Sequence, residues 1–269
     1  MLKDITLGQY FPGNSTIHKM DARIKILLSI AFMVVVFCIN SVYGYVALFT
    51  FTFCVIAASK IPFGFMMKAI KPVLFFVVFT AILNIFLTRS GEILWQAGFI
   101  TVTKDGILNA LYMLIRIVFL VLGTSLLTYT TSPIELTDGM ERLLRPFSKI
   151  GLPSHELAMM MSIALRFIPT ILEETDKIMK AQTARGADFE SGNILKRAKA
   201  LIPLLVPLFI GAFRRADELA MAMECRCYHG GANRTKMNEP HLGMRDLWAV
   251  IIFLIFTAVI IITNIILGG

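Results

Sequence analysis

Five stretches of the chain, at 24–40, 42–59, 70–88, 107–131 and 247–267, are strongly apolar, contain no Asp or Glu, and run 17 to 25 residues each. No other feature constrains the fold as much. A helix needs about 20 mainly apolar residues to cross the roughly 30 Å hydrocarbon layer of a bilayer. A backbone in hydrocarbon must also satisfy its own hydrogen bonds, which leaves helices for such runs. The composition agrees, because 57% of the 269 residues are hydrophobic, against roughly 45–50% apolar residues in soluble domains.

Charge is gathered in one place. Between Ser132 and Arg245 lie 16 of the 26 Lys and Arg and 13 of the 18 Asp and Glu. That region is charged like a water-exposed domain. The expected organisation is an N-terminal membrane domain of four helices (1–131), a cytoplasmic helical domain (132–245) and a C-terminal transmembrane helix (246–269). The fold class is thus an all-α integral membrane protein, with about five transmembrane helices and a cytoplasmic domain of three helices, two of them long.

Loop charges set the orientation. Lys3, Lys19, Arg23 and Lys25 precede or open the first run, and Lys60, Lys68 and Lys71 lie between the second and third. The 40–43 turn has no charge, and in 89–106 Arg89 and Lys104 are balanced by Glu92 and Asp105. The excess of Lys and Arg alternates as the positive-inside rule requires. It places the N-terminus and the 132–245 region in the cytoplasm and the C-terminus outside. The net charge of +8 fits this placement and an anionic lipid surface, and no basic stripe interleaved with aromatics points to nucleic acid. The four cysteines form no disulfide framework, and no cleavable leader is expected. A short hairpin is expected at 93–103, broken at Ala97-Gly98.

The charged region is punctuated as three helices. Ser132-Pro133-Ile134-Glu135 is a capping box with proline at the first helical position. Leu136, Met140, Leu143, Leu144 and Phe147 then share one face. Gly151-Leu152-Pro153 ends that helix, and Ser154 is placed to cap the next, at about 155–185. The third runs over about 193–227. The last two are expected to be roughly 45–50 Å long, with kinks at Pro169, Pro203 and Pro207. The run 201–213 is too short to span and reads as interfacial or buried against another helix. Met159, Met160 and Met161 form a soft apolar patch, a residue type suited to surfaces that re-pack.

The two long helices end alike. The first closes with QTARGADFE (182–190), the second with MECRCYHGG (223–231). Asp176 and Asp217 lie nine residues before Arg185 and Arg226, Ile178 and Leu219 seven before, and Ala181 and Ala222 four before. One such ending is an ordinary C-cap, in which glycine and a cation complement the helix terminus. Recurrence with the upstream acid points further. Small flanking residues let a helix tip enter a groove, where the arginine fork pairs with a carboxylate or carbonyl. Two matched tips fit a partner with two equivalent grooves.

Through DARIKILLSI (21–30), TTSPIELTDGMERLLRPFSKIGLPSHELAMMMSIALRFIPTILEE (130–174) and KAQTARGADFE…AMECR (180–226), nearly the whole chain resembles the transmembrane T components (EcfT) of energy-coupling factor transporters. The resemblance implies a non-catalytic scaffold of an ABC-type importer in a prokaryotic cell membrane. It implies that Ala184, Arg185 and Gly186, and Cys225, Arg226 and Cys227, dock on a pair of cytoplasmic ABC ATPases of the EcfA type. It further implies that the long helices act as levers on a small substrate-binding membrane subunit, the S component, which delivers vitamins or other micronutrients. Met159, Met160, Met161, Leu204, Leu205, Leu208 and Phe209 are the candidate surface for that subunit. No cofactor is expected on this chain, ATP and magnesium being used by the ATPases. The second tip departs from the family motif, with Cys225-Arg226-Cys227 in place of Ala-Arg-Gly, which puts its cap geometry in question.

Other readings are weaker. No G-x-x-x-x-G-K-[ST] occurs, so the chain has no P-loop of its own. Cys225, Cys227, His229 and His241 are zinc-type ligands, yet the spacing is wrong for one helix face. A membrane-embedded enzyme lacks carboxylates in the apolar runs. A self-contained carrier or channel rests on Arg116 inside the fourth run, which is equally accounted for by a structural bond to Asn84, Asn109 or backbone carbonyls.

Overall fold

The computed structural model describes residues 10–39, 41–87, 93–97, 100–151, 153–189, 193–230 and 242–267. These form helices α1 (Ala22–Phe37), α2 (Val42–Ser59), α3 (Phe63–Leu87), α4 (Lys104–Thr130), α5 (Pro133–Leu144), α6 (Ser154–Ala184), α7 (Ile194–Glu224) and α8 (Met244–Leu267). A 3-10 turn covers Arg145–Ile150. The expected hairpin is present as antiparallel strands β1 (Ile93–Ala97) and β2 (Ile100–Thr103), a small exception to an otherwise helical fold. Contacts divide the described residues into two units, 10–139 with 242–267, and 140–230. The division falls inside α5, where the sequence had placed it at 131/132.

In the first unit α1, α2, α4 and α8 share a core of Phe32, Val36, Ile39, Leu48, Phe119, Phe256 and Ile260. The Phe51 and Phe256 rings stack with centroids 4.0 Å apart. Gly123 lets α4 approach α1, since a Cβ there would lie 2.5 Å from the Phe32 ring. α3 lies along α4 and keeps most of its apolar surface outward, including Phe75 at 72% exposure.

The starts of α1 and α8 are tied together. Asp21 caps α1 by accepting from the Arg23 amide (2.9 Å) and pairs with the Arg23 guanidinium (2.7 Å). Its own amide donates to the Asp246 carboxylate (2.9 Å), which also accepts from the Gly243 amide (2.8 Å). Lys25, read from the sequence as a loop charge, is instead buried within α1. Its ammonium donates to the carbonyls of His18 and Thr130, both at 3.0 Å.

Among the described residues five helices are long and apolar enough to cross a membrane: α2, α3, α4, α6 and α8. They are not the five expected. α1 has only 16 residues, about 24 Å of helix, because it stops at Phe37 rather than at residue 40. α6 meets the criterion by length and composition alone. α3 starts seven residues earlier than expected, taking Lys68 and Lys71 into its first turns.

In the second unit α6 and α7 each run 31 residues, about 46 Å, close to the lengths expected. The capping box before α5 forms as predicted. Ser132 Oγ accepts from the Glu135 amide (3.3 Å) and Glu135 Oε2 from the Ser132 amide (3.2 Å). Ser154 does not cap α6: it is the first helical residue, buried, and Pro153 holds the cap position with no side-chain bond. Instead His155 Nδ1, in the first turn of α6, pairs with Glu141 Oε1 of α5 at 3.0 Å. Pro169, Pro203 and Pro207 lie inside helices that continue through them.

Candidate functional site

Both long helices finish in the same hydrogen-bonded cap. After α6 the Ala187 amide donates to the Gln182 carbonyl and the Gly186 amide to that of Thr183, both at 3.0 Å. After α7 the Tyr228 amide donates to the Met223 carbonyl (3.0 Å) and the Cys227 amide to that of Glu224 (2.8 Å). Each is a Schellman motif, with the arginine as last half-helical residue and the next residue left-handed. Gly186 has φ +88° and Cys227 φ +57°. Cysteine thus adopts the conformation that glycine takes in the first tip, at a cost of about 1–2 kcal/mol for a residue with a Cβ. The question raised by the missing glycine is answered: the second tip has the same cap, and it is strained.

Each arginine amide still donates into its own helix, Arg185 to the Gln182 carbonyl (3.0 Å) and Arg226 to that of Met223 (3.1 Å), while the guanidinium is left outside that bonding. Arg185, Arg226 and the small residues beside them, Ala184, Gly186, Cys225 and Cys227, are all exposed. Among the described residues neither guanidinium has an ion pair.

Upstream an ion pair joins the two helices. Arg215 Nη2 of α7 donates to Glu174 Oε2 of α6 at 2.6 Å, and its guanidinium lies 5.8 Å from the centre of the Phe167 ring. Gly211 makes room for this approach, since a Cβ there would stand 3.0 Å from Glu174 Oε1. Beside the pair a cavity of about 320 Å³ is lined by Ile163, Ile171, Leu219 and Met223.

The positions of the pair match the repeat. Glu174 lies 11 residues before Arg185, and Arg215 lies 11 before Arg226. The junction therefore joins equivalent positions of two equivalent arms, each about 16 Å from junction to tip along its helix. Sequence reading found the tips and missed the junction. Opposite charges at matching offsets from the two arginines were the available signal.

The family of this chain follows from comparison with known proteins. A family model described as cobalt transport protein (CbiQ) matches residues 13–237. The chain is 56% identical over 266 residues to the energy-coupling factor transporter transmembrane protein EcfT of Clostridium kluyveri, covering 98% of both chains. It is 58% identical over 246 residues to that of Acidaminococcus fermentans, covering 91% of both. Against that of Bacillus subtilis it is 48% identical over 260 residues, covering 97% of this chain and 98% of the relative. The chain belongs to the family of energy-coupling factor transporter transmembrane proteins.

For a transmembrane transport protein of this family, the long apolar faces outside the core are the next feature to place. On α6 Met160 (54% exposed) and Met161 (46%) face outward, with Met159 half-buried. On α7 Leu205 and Phe209 are exposed and Leu208 is half-buried. Leu204 is not available to a partner, being only 6% exposed. Ile202, Val206, Ile210 and Phe213 extend the exposed α7 surface beyond the residues singled out from sequence. The 201–213 run is thus largely uncovered within this chain, as an element that lies against lipid or another protein would be.

Arg116 has a structural partner set. Its Nη2 donates to the Ile39 carbonyl (2.9 Å), in the turn after α1, and lies 3.3 Å from the Tyr45 hydroxyl. A cation at the end of α1 complements that terminus. The backbone-carbonyl alternative is the one realised. Asn84 bonds to the Thr80 carbonyl and Met113 instead. Cys225, Cys227 and His229 are not brought together as a metal-binding group of three among the described residues, and His241 lies outside them.

Proposed function

We propose that this chain couples a pair of cytoplasmic ABC ATPases to a substrate-binding S component, for uptake of vitamins or other micronutrients. The observation that carries this reading is the pair of identical arginine caps at equal distance from one ion-paired junction. A partner made of two similar subunits presents two similar grooves, and symmetric arms meet both without distortion. Arg185 and Arg226, flanked by Ala184, Gly186, Cys225 and Cys227, enter those grooves as charge-assisted donors. ATP and magnesium are used by the ATPases, and this chain binds no cofactor and performs no chemistry. The 132–245 region is the coupling domain. It lies in the cytoplasm with the N-terminus, and the C-terminus is outside.

When the ATPases close or open, the tips move with them, and helices held at a junction convert that into motion of their upstream halves. The exposed apolar residues there, Met160, Met161, Leu205 and Phe209 with Met159 and Leu208 beside them, hold the S component.

The test is a purification. The tagged chain is extracted from its native membrane in mild detergent, and co-purifying chains are identified by mass, for wild type and for Arg185→Glu with Arg226→Glu. Two P-loop ATPases are expected with wild type and neither with the double variant, while small hydrophobic chains stay bound. ATP-driven uptake that is unchanged in the double variant overturns this assignment.

A further inference from the structure

The first unit has a feature that docking and coupling leave unused. A cavity of about 460 Å³ opens between α1, α2, α4 and α8, within the range of small-molecule sites. Its wall is apolar, with Leu28 and Phe32 of α1, Val55 of α2, Leu126 of α4, and Ile252 and Phe253 of α8. Its rim includes the exposed Cys54, Ala58 and Ile252, so it opens sideways, toward whatever surrounds the helices.

The polar groups of the cavity are arranged from one end inward. Arg245, the second residue of α8, is exposed at the mouth and has no ion pair among the described residues. Lys25 is next, with two of its three N–H groups committed to the His18 and Thr130 carbonyls. Asp246 and Asp21 nearby are already held by backbone amides and by Arg23. Thr52 stands seven residues inward from Ser59, the last residue of α2, about 10 Å along the helix.

Thr52 is the telling residue. A threonine inside a helix commonly bonds the carbonyl one turn back, as Thr50, Thr124, Thr128 and Thr257 do. Thr52 Oγ is 6% exposed by residue, lines the cavity and has no hydrogen-bond partner. A buried hydroxyl without a partner is costly, and its position calls for an acceptor inside the cavity.

We infer that the cavity is a binding site for one anionic phospholipid from the leaflet at the end where α1 and α8 begin. An acyl chain fills the apolar wall, a glycerol ester carbonyl accepts from Thr52, and the phosphate lies between Arg245 and the free N–H of Lys25. Lipid is the occupant because the mouth is cationic and the opening is lateral. A protein helix entering there would have its backbone carbonyls bonded internally and none free for Thr52.

The chain, purified with the partners that accompany it, is reconstituted in vesicles of phosphatidylcholine and phosphatidylglycerol. A trace of either lipid carries a photoactivatable diazirine on the acyl chain, and crosslinked residues are mapped by mass. Labelling is expected on Val55, Ala249 and Phe253 above that on Phe75 and Phe79 of α3, which face surrounding lipid. The phosphatidylglycerol probe is expected to exceed the phosphatidylcholine probe there by about fivefold, the effect of one surface cation. Arg245→Gln removes that preference and leaves acyl labelling in place. Ala249→Phe lowers labelling to the level of α3, and Thr52→Val lowers it for both lipids. Labelling equal to that of α3 in wild type overturns the site, and so does crosslinking of Val55 to a partner chain in place of lipid.

Discussion

The Glu174–Arg215 junction yields the sharpest prediction. Its two side chains are 31% and 26% exposed and meet at 2.6 Å. Fully exposed ion pairs are worth about 0.2–1 kcal/mol, and breaking a fully buried one costs about 3–5 kcal/mol. Screening at this degree of exposure places the coupling between them, at about 1–2 kcal/mol. Arg215→Gln also loses the guanidinium from the Phe167 ring, another ~0.5–1 kcal/mol, so it should exceed Glu174→Gln by that amount. The two units of this chain make a single unfolding midpoint a poor readout, so the assay is local amide hydrogen exchange. Amides near 170–178 and 211–219 should exchange about 5–30-fold faster in Glu174→Gln and about 10–140-fold faster in Arg215→Gln, at 1.4 kcal/mol per tenfold. The double variant should cost no more than Arg215→Gln alone. Strictly additive effects, or single variants within about twofold of wild type, refute the junction as a coupled pair.

Three further outcomes follow from the same geometry. Cys227→Gly should relieve the left-handed strain, slowing exchange of the amides at positions 227 and 228 by about fivefold, worth about 1 kcal/mol; faster exchange would show that the cysteine stabilises the tip. Arg116→Leu should leave the Ile39 carbonyl without its donor, costing about 1–3 kcal/mol and speeding amide exchange around the α1–α2 turn by about 5–140-fold, with Arg116→Lys losing less; unchanged exchange with abolished uptake would return Arg116 to a transport role. Gly211→Leu should push α7 off Glu174 and widen the distance distribution between spin labels at positions 181 and 222, a shift that an unchanged distribution would contradict.

Much of the site was legible in the sequence because its signals are local. The capping box at Ser132 and Glu135, the glycine after Arg185 and the repeated spacing of the acidic, aliphatic and alanine positions specify helix ends through neighbours a few residues away. Where the local signal was incomplete, at Cys225-Arg226-Cys227, the expectation was incomplete too. Ser154 shows the opposite failure. A residue with the right chemistry for a cap became the first helical residue, and Glu141 of α5 found His155 instead.

The membrane helices show the boundary most clearly. Composition established that several helices cross a membrane, since hydrocarbon admits only helices with internally bonded backbones, but not which of them reach spanning length, as α1 and α6 show. Nor did it set their faces. A helix apolar on every side has no periodic signal to mark the side that packs, so the burial of Leu204, the outward face of α3 and the α1–α2–α4–α8 core emerge only from the folded chain. The same holds for pairs distant in sequence: Arg116 with Ile39, Lys25 with Thr130, Asp21 with Asp246 and Glu174 with Arg215. Sequence alone determined that this chain crosses a membrane and ends two long helices on matched arginines, because caps and hydropathy act over a few residues. Tertiary structure decided that the arms join at equivalent positions and that a lateral cavity holds an unpartnered threonine, because those depend on how each helix is rotated about its own axis.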